Sequence, residues 1–303
     1  MSGRRSHGNR VEAVDRAAAA RDCGTGGRPG SRTADTVAYT AAVPTYRLLI
    51  EYEGTKFAGW QVQASGRTVQ GVLLDTLRTI TGERGLDLQG AGRTDAGVHA
   101  LGQVASLRCR APLNAGKLFH ALERELPADL AVLDVRPAPK GFHARHDAVA
   151  RAYRYQIATR RSAFGKRTSW WVEDALDEAA MREGARRFVG RHDFRAFAKR
   201  AGEAESTLVE VEGIEVAAGH ACVLLRFVAS HFLWNQVRRM VGALVTVGRG
   251  EAPAGDVSRW LGGRAPAPPL SAPAAGLFLE AVRYPDEAWS PAPLVPVGLP
   301  SRG

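Results

Sequence analysis

Residues 46–80 read YRLLIEYEGTKFAGWQVQASGRTVQGVLLDTLRTI, and the hydrophobic period changes within them. Tyr46, Leu48, Ile50 and Tyr52 alternate, which predicts a half-buried strand, whereas Val69, Val72, Leu73, Leu77 and Ile80 recur at helical spacing. Two short apolar runs follow near 86–89 and 103–108, then a helical stretch over 114–125 and a strand near 130–135. The order is β-α-β-β-α-β. It recurs further on: a strand through Tyr153, Tyr155 and Ile157, a helix near 176–188, and strands near 208–216 and 222–228. A helix with Val237, Met240, Val241 and Leu244 on one face and a strand over 277–282 complete the second series. Two copies of one split β-α-β unit predict an α+β fold with a mainly antiparallel sheet. The expected halves are 45–150 and 151–286, joined near 142–151.

The flanks differ from this middle. Residues 1–44 hold seven Arg, four acids and an alanine run without a sustained apolar period, so they are expected to form a disordered basic extension. Ten of the sixteen prolines fall after residue 252. They cluster around 264–273 and 285–300, which predicts loops and, over 287–303, a Pro-rich tail, because proline removes a backbone donor.

Composition narrows the function. With 45% hydrophobic and 24% charged residues in 303, the chain can bury one core or two. No run approaches the roughly 18 uncharged apolar residues of a spanning helix, and no apolar secretory stretch opens the sequence, so a cytoplasmic protein without membrane contact is expected. Cys23, Cys109 and Cys222 lie far apart, which argues against a disulfide framework or a cysteine zinc site. The net charge is +10, and subtracting the +3 of residues 1–44 leaves +7 on the remainder. A folded part that is basic in its own right favours a polyanionic partner, nucleic acid first, since binding phosphates releases condensed counterions.

The segment Gly90–Gly102, GAGRTDAGVHALG, carries four glycines between two predicted strands. Glycines permit positive φ and close approach of a ligand. Asp95 is isolated there, with no other acid between Asp87 and Glu123, and Arg93 and His99 flank it. One carboxylate in a basic loop is a poor general acid and base pair; it suits a lone nucleophile or base beside a cation. The alternative on spacing alone is an aspartate that caps a turn. GAG lacks the third glycine of a dinucleotide fingerprint, and Gly165-Lys166-Arg167 lacks the parts of a P-loop.

GRTDAGVHA at 92–100 resembles the active-site motif of the tRNA pseudouridine synthase A family. YEGTKFAGWQVQ (52–63), LPADL (126–130), FHARHDAVARAYRY (142–155), FLWNQVRRMVG (232–242) and GLFLEAVRYP (276–285) are similar to further segments of that family, in its order, over about 45–286. The resemblance implies the pseudouridine synthase fold and a cofactor-free isomerase that works as a homodimer. Its substrate would be uridine at positions 38, 39 and 40 of the tRNA anticodon arm. It also implies that Asp95 is the catalytic carboxylate, that Arg93 helps take the base out of the stack, that Tyr153 stacks on uracil with its hydroxyl near C5, and that Arg238 is the ion-pair partner of Asp95.

Each role has a plainer counterpart. Arg93 could be a phosphate contact, and Tyr153 core packing; Tyr155 and Trp60 are read as core, and His99 as a satisfied structural histidine. Lys56, Arg67, Lys140, Arg145, Arg151, Lys199 and Arg200 are candidates, as a group, for a phosphate-binding groove. The chain departs from the family's pattern at Ala152, Glu123, Trp234 and Gln236, where a basic residue, asparagine, histidine and methionine are usual. Two rival readings are a non-catalytic RNA binder, which lacks the clustered strand aromatics, and a metal-dependent nuclease, which would need several converging carboxylates where Asp95 is alone.

Overall fold

The computed structural model describes residues 43–199, 206–219, 221–285, 287 and 292–299. The predicted basic extension and part of the Pro-rich tail lie outside them, as does Arg200.

The first series forms β1 (Thr45–Tyr52), α1 (Val69–Thr81), β2 (Asp87–Gly90), β3 (His99–Arg108), α2 (Ala115–Glu125) and β4 (Leu130–Pro137). The second holds β5 (Ala150–Ala158), β6 (Trp170–Trp171), α3 (Glu178–Arg186), β7 (Gly190–Asp193), β8 (Leu208–Gly219), β9 (Cys222–Ala229), α4 (Gln236–Gly248), α5 (Asp256–Leu261) and β10 (Leu277–Arg283). Caps that the sequence supplies set the helix starts: Thr68, Asn114 and Asp177 accept from the backbone N–H three residues on. Gly82 ends α1 in the left-handed conformation.

One sheet runs through both series in the order β4-β1-β3-β10-β5-β9-β8-β7, with β2 also on β3 and β6 on β5. Within each series the sixth-position strand pairs the first, the first pairs the long return strand, and that strand pairs its hairpin partner: β4-β1-β3-β2 and β10-β5-β9-β8. All pairings are antiparallel except β10 with β3 and β5 with β6. Helix α1 packs against α2, and α3 against α4. The apolar stripes foreseen on these helices are buried, with Leu73, Leu77, Met240, Val241 and Leu244 fully enclosed.

The series meet where β3 changes partner along the edge opposite β1. Its far end, Ala105 to Arg108, pairs β2, while His99 and Ala100 at its start pair Phe278 and Leu279 of β10. Strand β3 thus begins inside the glycine-rich segment, four residues before the predicted run, because its first residues are held by β10 and not by an apolar period of their own. Glu280 staples this seam: its carboxylate accepts from Arg226 on β9 at 2.8 Å and from Arg154 on β5, all three being buried. Part of the expected tail also docks here. The Val295 carbonyl accepts from Arg154 at 2.8 Å, the Val297 N–H donates to Gln156 at 2.6 Å, and Leu299 packs on Cys222 and Leu224.

Burial pushes the Glu280 carboxyl up, but the hydrogen bonds from Arg226 and Arg154 outweigh it and hold the group below its ordinary 4.5. Its stabilising contribution is complete above pH 4.5 and is lost as pH falls through the lower folded value. Glu280→Ala leaves the buried Arg154 guanidinium without a counter-charge and Arg226 with Glu215 alone, and is expected to cost about 3–5 kcal/mol in urea denaturation at neutral pH. The gap between variant and wild type should narrow as the pH is lowered below 4.5.

Candidate functional site

The segment between β2 and β3 is built as a loop fixed at several points. Ala91 N–H donates to Val104 at 2.8 Å, and the Gln103 amide to the Gly92 carbonyl at 2.8 Å. The buried Thr94 hydroxyl meets Tyr52 at 2.8 Å, and Trp60 N–H donates to the Thr94 carbonyl at 3.0 Å. A turn follows, with Val98 N–H on the Asp95 carbonyl at 3.2 Å. Trp60 is 1% exposed and packs beneath Gly90, where a Cβ would come within 2.5 Å of the indole.

His99 closes the loop from the strand side and is 1% exposed. Its Nδ1 accepts from Gly54 N–H at 2.9 Å, so Nε2 carries the proton and donates to the carbonyls of Arg167 (2.8 Å) and Ala275 (3.1 Å). The ring stacks on Phe278 of β10 at 4.6 Å. Burial pushes its pKa down. Every polar atom of this side chain is used within the protein, as a structural histidine requires.

Asp95 itself points into a cleft of about 1070 Å³. From the second series, α4 brings Arg238 Nη1 to 4.0 Å from Asp95 Oδ2, while Arg238 Nε donates to the Ala272 carbonyl at 2.6 Å. Strand β5 brings Tyr153, whose ring meets Phe232 edge to face at 5.2 Å. Its hydroxyl lies 3.6 Å from where a Cβ on Gly92 would sit. Burial, opposed by Arg151 and aided by the Asp95 carboxylate, pushes the Tyr153 hydroxyl up to about 12, so it is neutral at physiological pH. Arg93 stands exposed on the cleft wall. Asp95, Arg93, Tyr153 and Arg238 therefore line one cavity.

The candidate groove residues separate. Arg145 and Lys199 line the cleft. Arg151 also reaches it, yet its guanidinium donates to the carbonyls of Ala91, Arg145, Ala148 and Ser230, which makes it a clamp between the loop and β5. Arg67 lies elsewhere, bidentate on Asp129 at 2.7 and 2.8 Å. Lys56 and Lys140 are not on the cleft wall. Tyr155 is core, as expected, its hydroxyl donating to the Pro273 carbonyl at 2.8 Å.

Trp234, which the sequence marks only as a departure from the family's pattern, is a cleft residue without a role assigned from sequence. Its indole N–H donates to Asp95 Oδ1 at 3.0 Å across 139 residues of chain. The signal available was its place at the entrance to the late helix, beside the residue expected to pair with Asp95. Among the described residues the cleft wall carries Arg93, Arg145, Arg151, Lys199, Arg238 and Arg239 against a single acid, Asp95. No group of three His, Cys, Asp or Glu among them converges to hold a metal ion.

A cationic cleft with one carboxylate is suited to a polyanion on which one group must act. A family model described as tRNA pseudouridine synthase matches residues 48–147 and 185–285. The chain is 43% identical over 241 residues to a tRNA pseudouridine synthase A of Syntrophotalea carbinolica, covering 78% of this chain and 95% of that one. It is 41% identical over 247 residues to the tRNA pseudouridine synthase A of Paramagnetospirillum magneticum, covering 80% and 96%. The Xanthobacter autotrophicus protein of the same name is 40% identical over 247 residues, covering 80% and 100%. The chain belongs to the tRNA pseudouridine synthase family.

Gly59 holds the turn that carries Trp60 under the loop. It has φ +107°, and a Cβ there would come 2.7 Å from the Thr94 carbonyl oxygen. Gly59→Ala is expected to lose about 1–3 kcal/mol in thermal denaturation and to lower activity along with it. Gly141→Ala, at φ +84° with nothing within 4 Å, should cost about 1 kcal/mol and leave activity alone.

Proposed function

We propose that this enzyme isomerises uridine to pseudouridine at positions 38, 39 and 40 of the tRNA anticodon arm, as a cytoplasmic homodimer, with Asp95 as the catalytic carboxylate. The observation that carries the reading is Asp95 as the lone acid, among the described residues, of a cationic cleft that it shares with Arg238 and Tyr153. The family's chemistry is its second support.

The reaction breaks the N1–C1′ bond, joins C5 to C1′, and moves the C5 proton out while N1 gains one. Nothing is oxidised or hydrolysed, so no redox cofactor is required. A carboxylate serves this sequence by attacking C1′, by attacking the base, or by taking the ribose 2′ proton. All three need a base removed from its stack, since the ring is out of reach inside a paired stem. Arg93, on the cleft wall, lies beside the flipped nucleotide and helps take the base out of the stack. The neutral Tyr153 offers a π-face to uracil and a hydroxyl that donates a hydrogen bond. Arg145, Lys199 and Arg239 provide the phosphate contacts.

The test is tritium release from unmodified tRNA labelled at C5 of uracil, with chelator present. Wild type should release tritium; strand cleavage would instead indicate a nuclease, and binding without release an RNA-binding protein. Asp95→Asn should abolish release while tRNA affinity stays within about threefold, because affinity rests on many phosphate contacts. Equal loss of both would make Asp95 architectural.

A further inference from the structure

The contact between Trp234 and Asp95 is made by a ring that core packing does not fix. Trp234 is 48% exposed, so its placement follows from its backbone and its polar contacts. The backbone is held firmly. Asn235 next to it has φ 66°, the one positive φ among the described non-glycine residues, and its amide donates to Ser271 at 3.0 Å. Such a conformation persists only where neighbouring contacts impose it. Gln236, fully buried, accepts from Leu233 N–H at 2.8 Å, and the Trp234 carbonyl accepts from Lys199 N–H at 2.9 Å. The Lys199 ammonium lies 5.0 Å from the ring centroid. A cation over the π-face draws electron density from the indole and strengthens its N–H as a donor.

The two oxygens of Asp95 are therefore in different surroundings. Oδ1 accepts from Trp234 at 3.0 Å, and Oδ2 faces Arg238 at 4.0 Å. Rotation about the bond to a carboxylate is soft, and a lone guanidinium at that distance would leave it free. A directional hydrogen bond to one oxygen stops it.

We propose that Trp234 is a positioning residue for the isomerisation: its indole N–H holds Oδ1 of Asp95, so that Oδ2 is presented to the nucleotide. This rests on the reading of Asp95 as the catalytic group. Trp234 makes and breaks no covalent bond; it keeps the carboxylate in the orientation from which it reacts, where small displacements are costly to rate.

Three variants test it, assayed for tritium release and for tRNA binding. Trp234→Phe keeps an aromatic ring and removes the donor. Its kcat should fall about tenfold, with KM and tRNA affinity within about twofold, as for the loss of one hydrogen bond to a charged group. In Trp234→His, the imidazole Nε2 stands two bonds from Cγ, as the indole Nε1 does, and a donor there should return kcat to within about threefold of wild type. Unchanged kcat in Trp234→Phe overturns the proposal. So does a loss confined to KM and affinity, which would make the ring a base-stacking surface, or a rise in kcat, which would make it an obstruction. A Trp234→His variant no better than Trp234→Phe also overturns it, since ring bulk and not the donor would then be responsible. The third variant, Asp95→Asn, keeps the two readings apart. Retained release there removes the role of Asp95, whereas an inactive Asp95→Asn beside an unaffected Trp234→Phe removes only the role of Trp234.

Discussion

Two residue pairs join the β3 and β10 strands of the two series beside the candidate site. His99 and Ala100 of β3 lie parallel to Phe278 and Leu279 of β10, and Leu279 in turn pairs Tyr153 on β5. The Asp95 loop ends as β3 begins, so this short parallel seam sets the distance between the loop of one half and the β5 and α4 side chains of the other. A seam of two pairs has little strength of its own. It is reinforced on both sides: His99 stacks on Phe278 and bonds two carbonyls from the second half, and Glu280 binds Arg154 on the adjoining β5 and Arg226 on β9 beyond it. Buried charges cost free energy to desolvate, and these three are tolerated because each faces an opposite charge at hydrogen-bond distance.

The cleft built over the seam is electrostatically one-sided. Among the described residues six cations face one acid, which serves a polyanion well and leaves that acid without a carboxylate neighbour on the cleft wall. The cations differ in kind. Arg151 is consumed by four carbonyls and holds the wall together, Arg238 is anchored on Ala272, and Arg93 makes no hydrogen bond or ion pair among the described residues. An arginine counted from composition can thus be a strut, a partner or a free contact, and only its donors tell which.

Proline marks loop and tail, and around 264–273 no helix or strand forms. The segment 292–299 adds a qualification. It has no ladder or helix, yet its carbonyls at Ala292, Val295 and Val297 receive Arg226, Arg154 and Gln156, and Leu299 finds an apolar seat. Proline removes a donor but leaves the carbonyl, so a Pro-rich segment can still cover buried arginines.

The order of strands and helices, their amphipathic faces and the isolated Asp95 were legible in the chain because each is a local property: a period of two or of 3.6, a cap, a glycine cluster. Strands β6 and β7 and helix α5 were not, being two, four and six residues long, too short to show a period. The early start of β3 was hidden for a related reason, since a glycine-rich stretch has no propensity of its own and becomes strand through a partner 179 residues away. What only the tertiary structure decided is which side chains meet. Trp234 on Asp95, Arg151 on four carbonyls and Arg67 on Asp129 are all directional contacts between distant segments. Spacing along a chain carries no record of such contacts, because they depend on how the two halves are laid edge to edge.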